Sequence, residues 1–222
     1  MRLKIIISGI LTALFAAVYF IGFGYIDKTV VCLLLALMLL FSYNFTRLQM
    51  KYKPDGSRKA VKRLTVFCFI LYLHMLLSFT LASTYFYRPS SFAFTDPEGF
   101  SVYLQTRVNL IPFYTIKEMS DIGDFYTVIV NNLGNILALM PMGVFLPLLF
   151  FRQRRILMFV LTVTLCVILI ESTQMLFLMG VWDIDDLILN VTGAVIMFLV
   201  MRSKITAKIY EKIFPGVPYE VR

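Results

Sequence analysis

Charge is scarce in this chain. Asp, Glu, Lys and Arg make up 15% of its 222 residues, against about 25% in an average soluble domain. Histidine occurs once, tryptophan once and cysteine three times. Cys32, Cys68 and Cys166 form no CxxC pair, and His74 stands at no zinc-ligand spacing from them. A disulfide framework and a structural zinc site are therefore disfavoured. There is no glycine-rich phosphate loop, internal repeat or low-complexity tract, which argues against an energy-coupled pump with its own nucleotide site. Hydrophobic residues fill the chain instead, at 59%, above the roughly 45 to 50% of soluble domains.

The apolar residues gather into six runs: Ile5 to Ile26, Thr29 to Thr46, Leu64 to Tyr87, Tyr126 to Phe151, Ile156 to Met179, and Leu187 to Met201. Only the fifth has a charge in its interior, Glu171. Crossing the hydrocarbon core takes about 20 helical residues, so the chain has room for six spans and their loops but for no sizeable soluble domain. The second and sixth runs are shorter and fit if flanking residues snorkel or the bilayer thins locally. The first run exceeds the about 7 to 15 residue apolar core of a signal peptide and is read as a span. The expected fold is an all-α polytopic membrane helix bundle of about six transmembrane helices. It forms a single membrane domain over residues 1–222, with a three-helix part at 1–87 and an extracellular or interfacial segment at 88–125.

Charge placement tests this segmentation independently, because cytoplasmic loops are rich in Lys and Arg. With the N-terminus inside, 17 of the 21 basic residues fall on the inner side, seven of them between Arg47 and Arg63. Nine of the 13 acidic residues fall outside, including Asp27, Asp124, Asp183, Asp185 and Asp186. Both termini are thus expected in the cytoplasm of a cell membrane. The net charge of +8 reads as topology and attraction to anionic membrane lipids, with no nucleic-acid partner.

Between the spans, Asp27 and Lys28 close a tight hairpin, and Arg47 to Arg63, with Pro54, Asp55 and Gly56, reads as a turn-rich basic loop. The outer segment divides into a polar part, Arg88 to Gly99, and a more apolar part, Phe100 to Phe125, expected to lie on the membrane or dip into it. Asn109, Pro112 and Phe113 form a candidate interfacial motif, since Pro112 stops a helix and an aromatic ring anchors at headgroup level. Pro141, Gly143 and Pro147 in the fourth span predict a kink or a close helix approach. After the last span, Ile205, Ile209 and Ile213 alternate with Lys204, Lys208 and Lys212, a basic amphipathic stretch suited to the inner membrane surface.

Polar residues cluster in the outer half of the last three spans. Counting inward at helical rise, Asn131 and Gln174 lie about 7 Å deep, and Asn135 and Glu171 about 12 to 13 Å deep. Asn131 and Asn135 share one helix face, as do Glu171 and Gln174, and Asp186 and Asn190. An amide in a span is commonly only a helix-to-helix hydrogen bond, worth about 0.6 kcal/mol. A carboxylate such as Glu171 costs roughly 2.5 kcal/mol or more unless protonated, hydrated or paired. Capping of the helix expected from Leu187 accounts for Asp186 and leaves Asp183 and Asp185 unexplained. The candidate site is therefore Asn131, Asn135, Glu171, Gln174, Asp183, Asp185, Asp186 and Asn190, pooled in a recess open to the outside. Such a set suits a divalent cation, an ammonium or a hydrogen-bonding sugar, and equally a general acid and base. The cluster has no nearby histidine or exposed cysteine, which argues against a serine- or cysteine-nucleophile hydrolase.

Three blocks in order carry a family resemblance. They are Asn109-Leu-Ile-Pro-Phe113; Asn131-Asn-Leu-Gly-Asn135 running into Pro141-Met-Gly143 and Leu146-Pro147; and Glu171-Ser-Thr-Gln174 followed by Asp183-Ile-Asp-Asp186, Asn190 and Gly193. Over residues 107–201 the chain resembles the VanZ-like family of teicoplanin-resistance-associated membrane proteins. The family pattern usually has an arginine three residues before the first Asp of the last block, where this chain has Gly180. The resemblance implies a bacterial cell-envelope protein of the plasma membrane, linked to glycopeptide (teicoplanin) or lipoglycopeptide tolerance. Its expected partners are membrane lipids and a lipid-linked cell-wall precursor or glycopeptide. Binding of a polar headgroup or cell-wall precursor in an outward-facing pocket is the leading expectation. A membrane enzyme acting on a lipid-linked substrate stands beside it, and a cation or small-solute transporter follows, weakened by the lack of an inverted repeat.

Overall fold

The computed structural model describes residues 1–23, 27–81, 92–121 and 125–221. The expected span ends at Ile26 and Tyr87, and the charged Arg88, Asp124 and Arg222, lie outside these residues. Six helices are long and apolar enough to cross a membrane, so the chain is an all-α multi-pass membrane bundle. They are α1 (Arg2–Gly22), α2 (Lys28–Tyr52), α3 (Ser57–Leu81), α6 (Phe125–Leu149), α7 (Ile156–Leu176) and α8 (Ile184–Met201). Shorter helices α4 (Pro97–Thr106), α5 (Tyr114–Asp121) and α9 (Lys204–Ile213) complete the set among the described residues.

Three boundaries differ from the sequence expectation for a common reason. Helices do not stop at charge. α2 continues past Arg47 to Tyr52 and α3 starts at Ser57 rather than Leu64, so the expected basic loop shrinks to a turn around a 3-10 stretch, Pro54–Gly56. Lys and Arg are good helix formers whose long stems carry the charge to water, whereas Pro54 lacks the N–H that would continue α2. The last span likewise starts at Ile184, ahead of the expected Leu187, and takes Asp185 and Asp186 into its first turn. Carboxylates are favourable there because the free N–H groups of the helix start point at them.

The chain divides into two compact units, Met1–Ile70 with Ala207–Glu220, and one consisting chiefly of Leu71–Thr206. In the first, Asp27 caps α2 by accepting the Thr29 N–H at 2.8 Å. The α1 and α2 pair is closed by Ser8, which donates to the Phe41 carbonyl at 2.9 Å, and by stacking of Phe15 on Phe41. Buried Met50, Ala60, Val61 and Val217 form its apolar cluster, with Tyr210 and Phe214 packed against them. Ile209 and Ile213 of α9 are exposed, as is Ile205, which is counted with the second unit.

In the second unit, α6 and α8 make the most extensive helix contact. Two glycines allow it. A Cβ on Gly193 would lie 1.9 Å from the Ile136 carbonyl oxygen, and one on Gly143 would lie 2.6 Å from both the Ala194 oxygen and the Phe198 nitrogen. The close approach expected at Gly143 is thus present, in a helix that runs through Pro141 and Pro147. Elsewhere Phe159 stacks on Phe198 between α7 and α8 with ring centroids 4.6 Å apart. The Tyr72 hydroxyl of α3 donates to the Ala138 carbonyl of α6 at 2.8 Å.

The segment between the third and fourth spans is tied down rather than merely laid on a surface. Asp96 caps α4 through the Gly99 N–H at 2.9 Å. Tyr103 is buried with Ala93 and Leu178, and its hydroxyl donates to the Met179 carbonyl at 3.2 Å. The all-α expectation has one small exception beyond α4. Val108–Asn109 (β1) pairs in parallel with Trp182–Asp183 (β2), Val108 opposite Trp182 and Asn109 opposite Asp183, with the Trp182 N–H on the Arg107 carbonyl at 2.9 Å.

Candidate functional site

The β1–β2 pair decides the geometry of the site, because it sets Asn109 beside Asp183. Asn109 Nδ2 donates to Asp183 Oδ1 and to Thr115 Oγ1, each at 3.0 Å, while its Oδ1 accepts the Ile111 N–H. Asp183 also caps α8 by accepting the Asp185 N–H at 2.9 Å. The NLIPF block and the DIDD block therefore form one structure. Pro112 and Phe113 make the turn into α5, with Phe113 in the left-handed backbone region at φ 64° and 61% exposed. Leu110, Ile111 and Tyr114 are exposed beside it, an apolar tip suited to the headgroup region.

Asp185 is 2% exposed and faces this turn, not a recess. Its Oδ1 accepts the Phe113 N–H and its Oδ2 accepts the Ile116 N–H at 3.4 Å. It thus satisfies free donors at the start of α5. The sequence assignment of the three aspartates is reversed here. Asp183 and Asp185 do the capping, and Asp186, expected to cap, is the one freed from it.

Asp186 lines a cavity of about 330 Å³. Around it stand Asn131 and Asn135 of α6, Glu171 and Gln174 of α7, and Asp183 and Asn190. Of the eight predicted residues, seven meet at this cavity and Asp185 is turned away from it. Asn135 Nδ2 donates to Asp186 Oδ1, and Asn190 Nδ2 donates to the Asp186 carbonyl at 2.8 Å. Gln174 donates to the Thr80 carbonyl of α3 at 2.9 Å. Asn131 is exposed at the cavity edge. Glu171 is only 9% exposed, yet among the described residues no donor reaches its carboxylate. Thr80, Thr115, Met119 and Gly180 also line the space and escaped the sequence reading. Only Gly180 carried a signal, as the position where the family pattern has arginine; it sits at φ 63°, in the region glycine adopts without strain.

Electrostatically the cavity is one-sided. Its described lining has three carboxylates, Glu171, Asp183 and Asp186, four carboxamides, and no lysine, arginine or histidine. Nearby, burial pushes the Tyr103 hydroxyl above its ordinary value, with the Glu171 charge adding to the effect. Among the described residues no three His, Cys, Asp or Glu side chains are grouped to hold a metal ion.

Fold and site together define a multi-pass membrane protein with a half-enclosed polar cavity bounded by its last four spans and α5. A family model described as VanZ/LLP1 matches residues 69–206, and the chain belongs to that family. The match takes in all three sequence blocks and nearly coincides with the second compact unit. No curated protein and no solved structure matches the chain.

Proposed function

We propose that the cavity binds the hydrogen-bond-donating part of a lipid-linked cell-wall precursor or polar lipid headgroup, and that this binding links the protein to glycopeptide tolerance. The observation that carries the reading is a cavity rich in acceptors with no cation among its described lining residues. Sugar hydroxyls and ammonium groups donate hydrogen bonds to carboxylate and carboxamide oxygens of the kind that line it. Occupation would also offset the cost of Glu171, a buried carboxylate without a described partner. The charge pattern of the loops supports an opening toward the cell exterior, where cell-wall precursors are handled.

The test is made in a host challenged with teicoplanin, with membrane-inserted protein quantified alongside. Glu171→Ala and Asp186→Asn are expected to abolish protection at unchanged protein level. Full protection by both variants would remove the cavity from the mechanism. Asp185→Ala does not serve this purpose, because it removes the cap of α5.

The Glu171 carboxylate, which no donor among the described residues reaches, favours a second reading, a membrane enzyme in which it acts as proton acceptor or donor toward a lipid-linked substrate. Product formation by the purified protein, lost in Glu171→Gln, would select this reading over simple binding. Turnover retained in that variant would eliminate Glu171 as the proton carrier.

A further inference from the structure

A second concave site lies in the first compact unit and shares no lining residue with the cavity described above. The N-terminal turn of α1, the C-terminal end of α2 and the start of α3 enclose a groove of about 310 Å³. Its walls are apolar, formed by Ile5, Ile6 and Ala60, and its charged lining residues are Arg2, Lys53 and Arg63. No Asp or Glu is among its described lining residues. Two of the cations are held in place. Arg2 donates from Nε to the Tyr52 hydroxyl, with its guanidinium carbon 5.5 Å from the centre of that ring. Arg63 donates to Gln49 Oε1 at 3.3 Å. Arg63 also borders an adjoining depression with Lys59 and Lys62, so the positive field extends past the groove itself.

We infer that this groove is a binding site for one anionic phospholipid, its phosphate against Arg2, Lys53 and Arg63 and the upper part of an acyl chain against Ile5 and Ile6. Charge complementarity selects the headgroup, since every charged residue in the described lining is cationic. Position selects an amphiphile over a soluble anion. The groove lies at the ends of three helices long and apolar enough to cross a membrane, where a span of that length meets the headgroup layer, and Ile6 of α1 is 56% exposed beside it. Basic pockets between transmembrane helices on the cytoplasmic side recognise anionic headgroups in this way. An oriented guanidinium suits a phosphate better than a freely rotating ammonium, and two are present, each fixed by a neighbour's side chain.

The full-length protein in mild detergent is presented with phosphatidylglycerol and phosphatidylcholine of identical chains, and retained lipid is counted by native mass spectrometry. Phosphatidylglycerol is expected to be retained about tenfold better. The double variant Arg2→Gln/Arg63→Gln should reduce it to the phosphatidylcholine level. Ile6→Trp, which fills the groove and leaves the charge untouched, should lower retention of both lipids. Replacing Lys204, Lys208 and Lys212 of α9 should leave the preference in place. Equal retention of the two lipids, or a preference that vanishes with the α9 lysines and survives the arginine changes, overturns the proposal. So does displacement of phosphatidylglycerol by an equal concentration of glycerol 3-phosphate, which would mark a site for free phosphate alone.

Discussion

The two compact units treat charged and carboxamide side chains in opposite ways. In the first, charge stays at helix ends: Arg58 pairs with Glu220 at the surface, and the basic residues between Arg47 and Arg63 are displayed on two helical turns around Pro54. In the second, carboxylates and amides are taken into the interior, where Asp183, Asp185, Glu171, Gln174 and Asn190 are all buried. Surface charge is cheap and exchangeable, because water solvates it whichever way the side chain turns. Buried polarity has to be matched atom by atom. The contrast places structural specificity in the second unit, which is also where the family match falls.

The sharpest way to break this contrast is to part α6 from α8. Gly193→Ala drives a methyl group into the Ile136 carbonyl, and the expected cost is about 3 kcal/mol, at the upper end for overpacking. The thermal midpoint of the detergent-solubilised protein should fall accordingly. An unchanged midpoint would mean that the helix pair relaxes without loss.

Removing a buried cap should come next. Asp185→Ala leaves the Phe113 and Ile116 N–H groups without their acceptor, a loss of about 2 kcal/mol for hydrogen bonds to a charged group. Limited proteolysis should then cut between Asn109 and Asp121 before any other site in the second unit, whereas Asp185→Asn, which keeps an acceptor oxygen, should be cut more slowly. Equal cutting of wild type and Asp185→Ala would contradict the capping role.

A smaller effect is expected at alkaline pH. The Tyr103 hydroxyl has its pKa raised above the ordinary 10.0 by burial and then by the Glu171 charge. A raised value means the fold favours the protonated form. The stability it adds is complete below the unfolded value near 10.0 and is lost as pH climbs beyond it. Tyr103→Phe should flatten the stability profile above about pH 10 relative to wild type, as followed by unfolding midpoints. Identical profiles would remove Tyr103 as the titrating group.

Least affected should be the first unit's surface. Arg63→Gln is expected to shift stability by no more than about 0.5 kcal/mol, the usual range for exposed substitutions. A drop as large as that of Asp185→Ala would erase the distinction between the two units.

Much of this molecule was legible in its sequence. Length and apolar runs imply six spans because a bilayer of given thickness demands helices of given length. Helical spacing put Asn131 with Asn135, Glu171 with Gln174, and Asp186 with Asn190, because side chains three or four apart share a face. The helix limits at Tyr52 and Ser57 were not legible from charge, since lysine and arginine sit comfortably in a helix that leaves the hydrocarbon; Pro54 was the better guide.

Local periodicity determines which residues point the same way, but not toward what. Asp183, Asp185 and Asp186 are too close in the chain for their spacing to say which faces the interior. That choice was made by the parallel pairing of Asn109 with Asp183, more than seventy residues apart, which fixes the rotation of the start of α8. Sequence alone determined which carboxylates and amides share a helix face and a depth along their spans. Only the tertiary structure decided that Asp185 would hold α5 in place and Asp186 would face the cavity, because the free backbone donors at Phe113 and Ile116 come from a segment whose position no local pattern encodes.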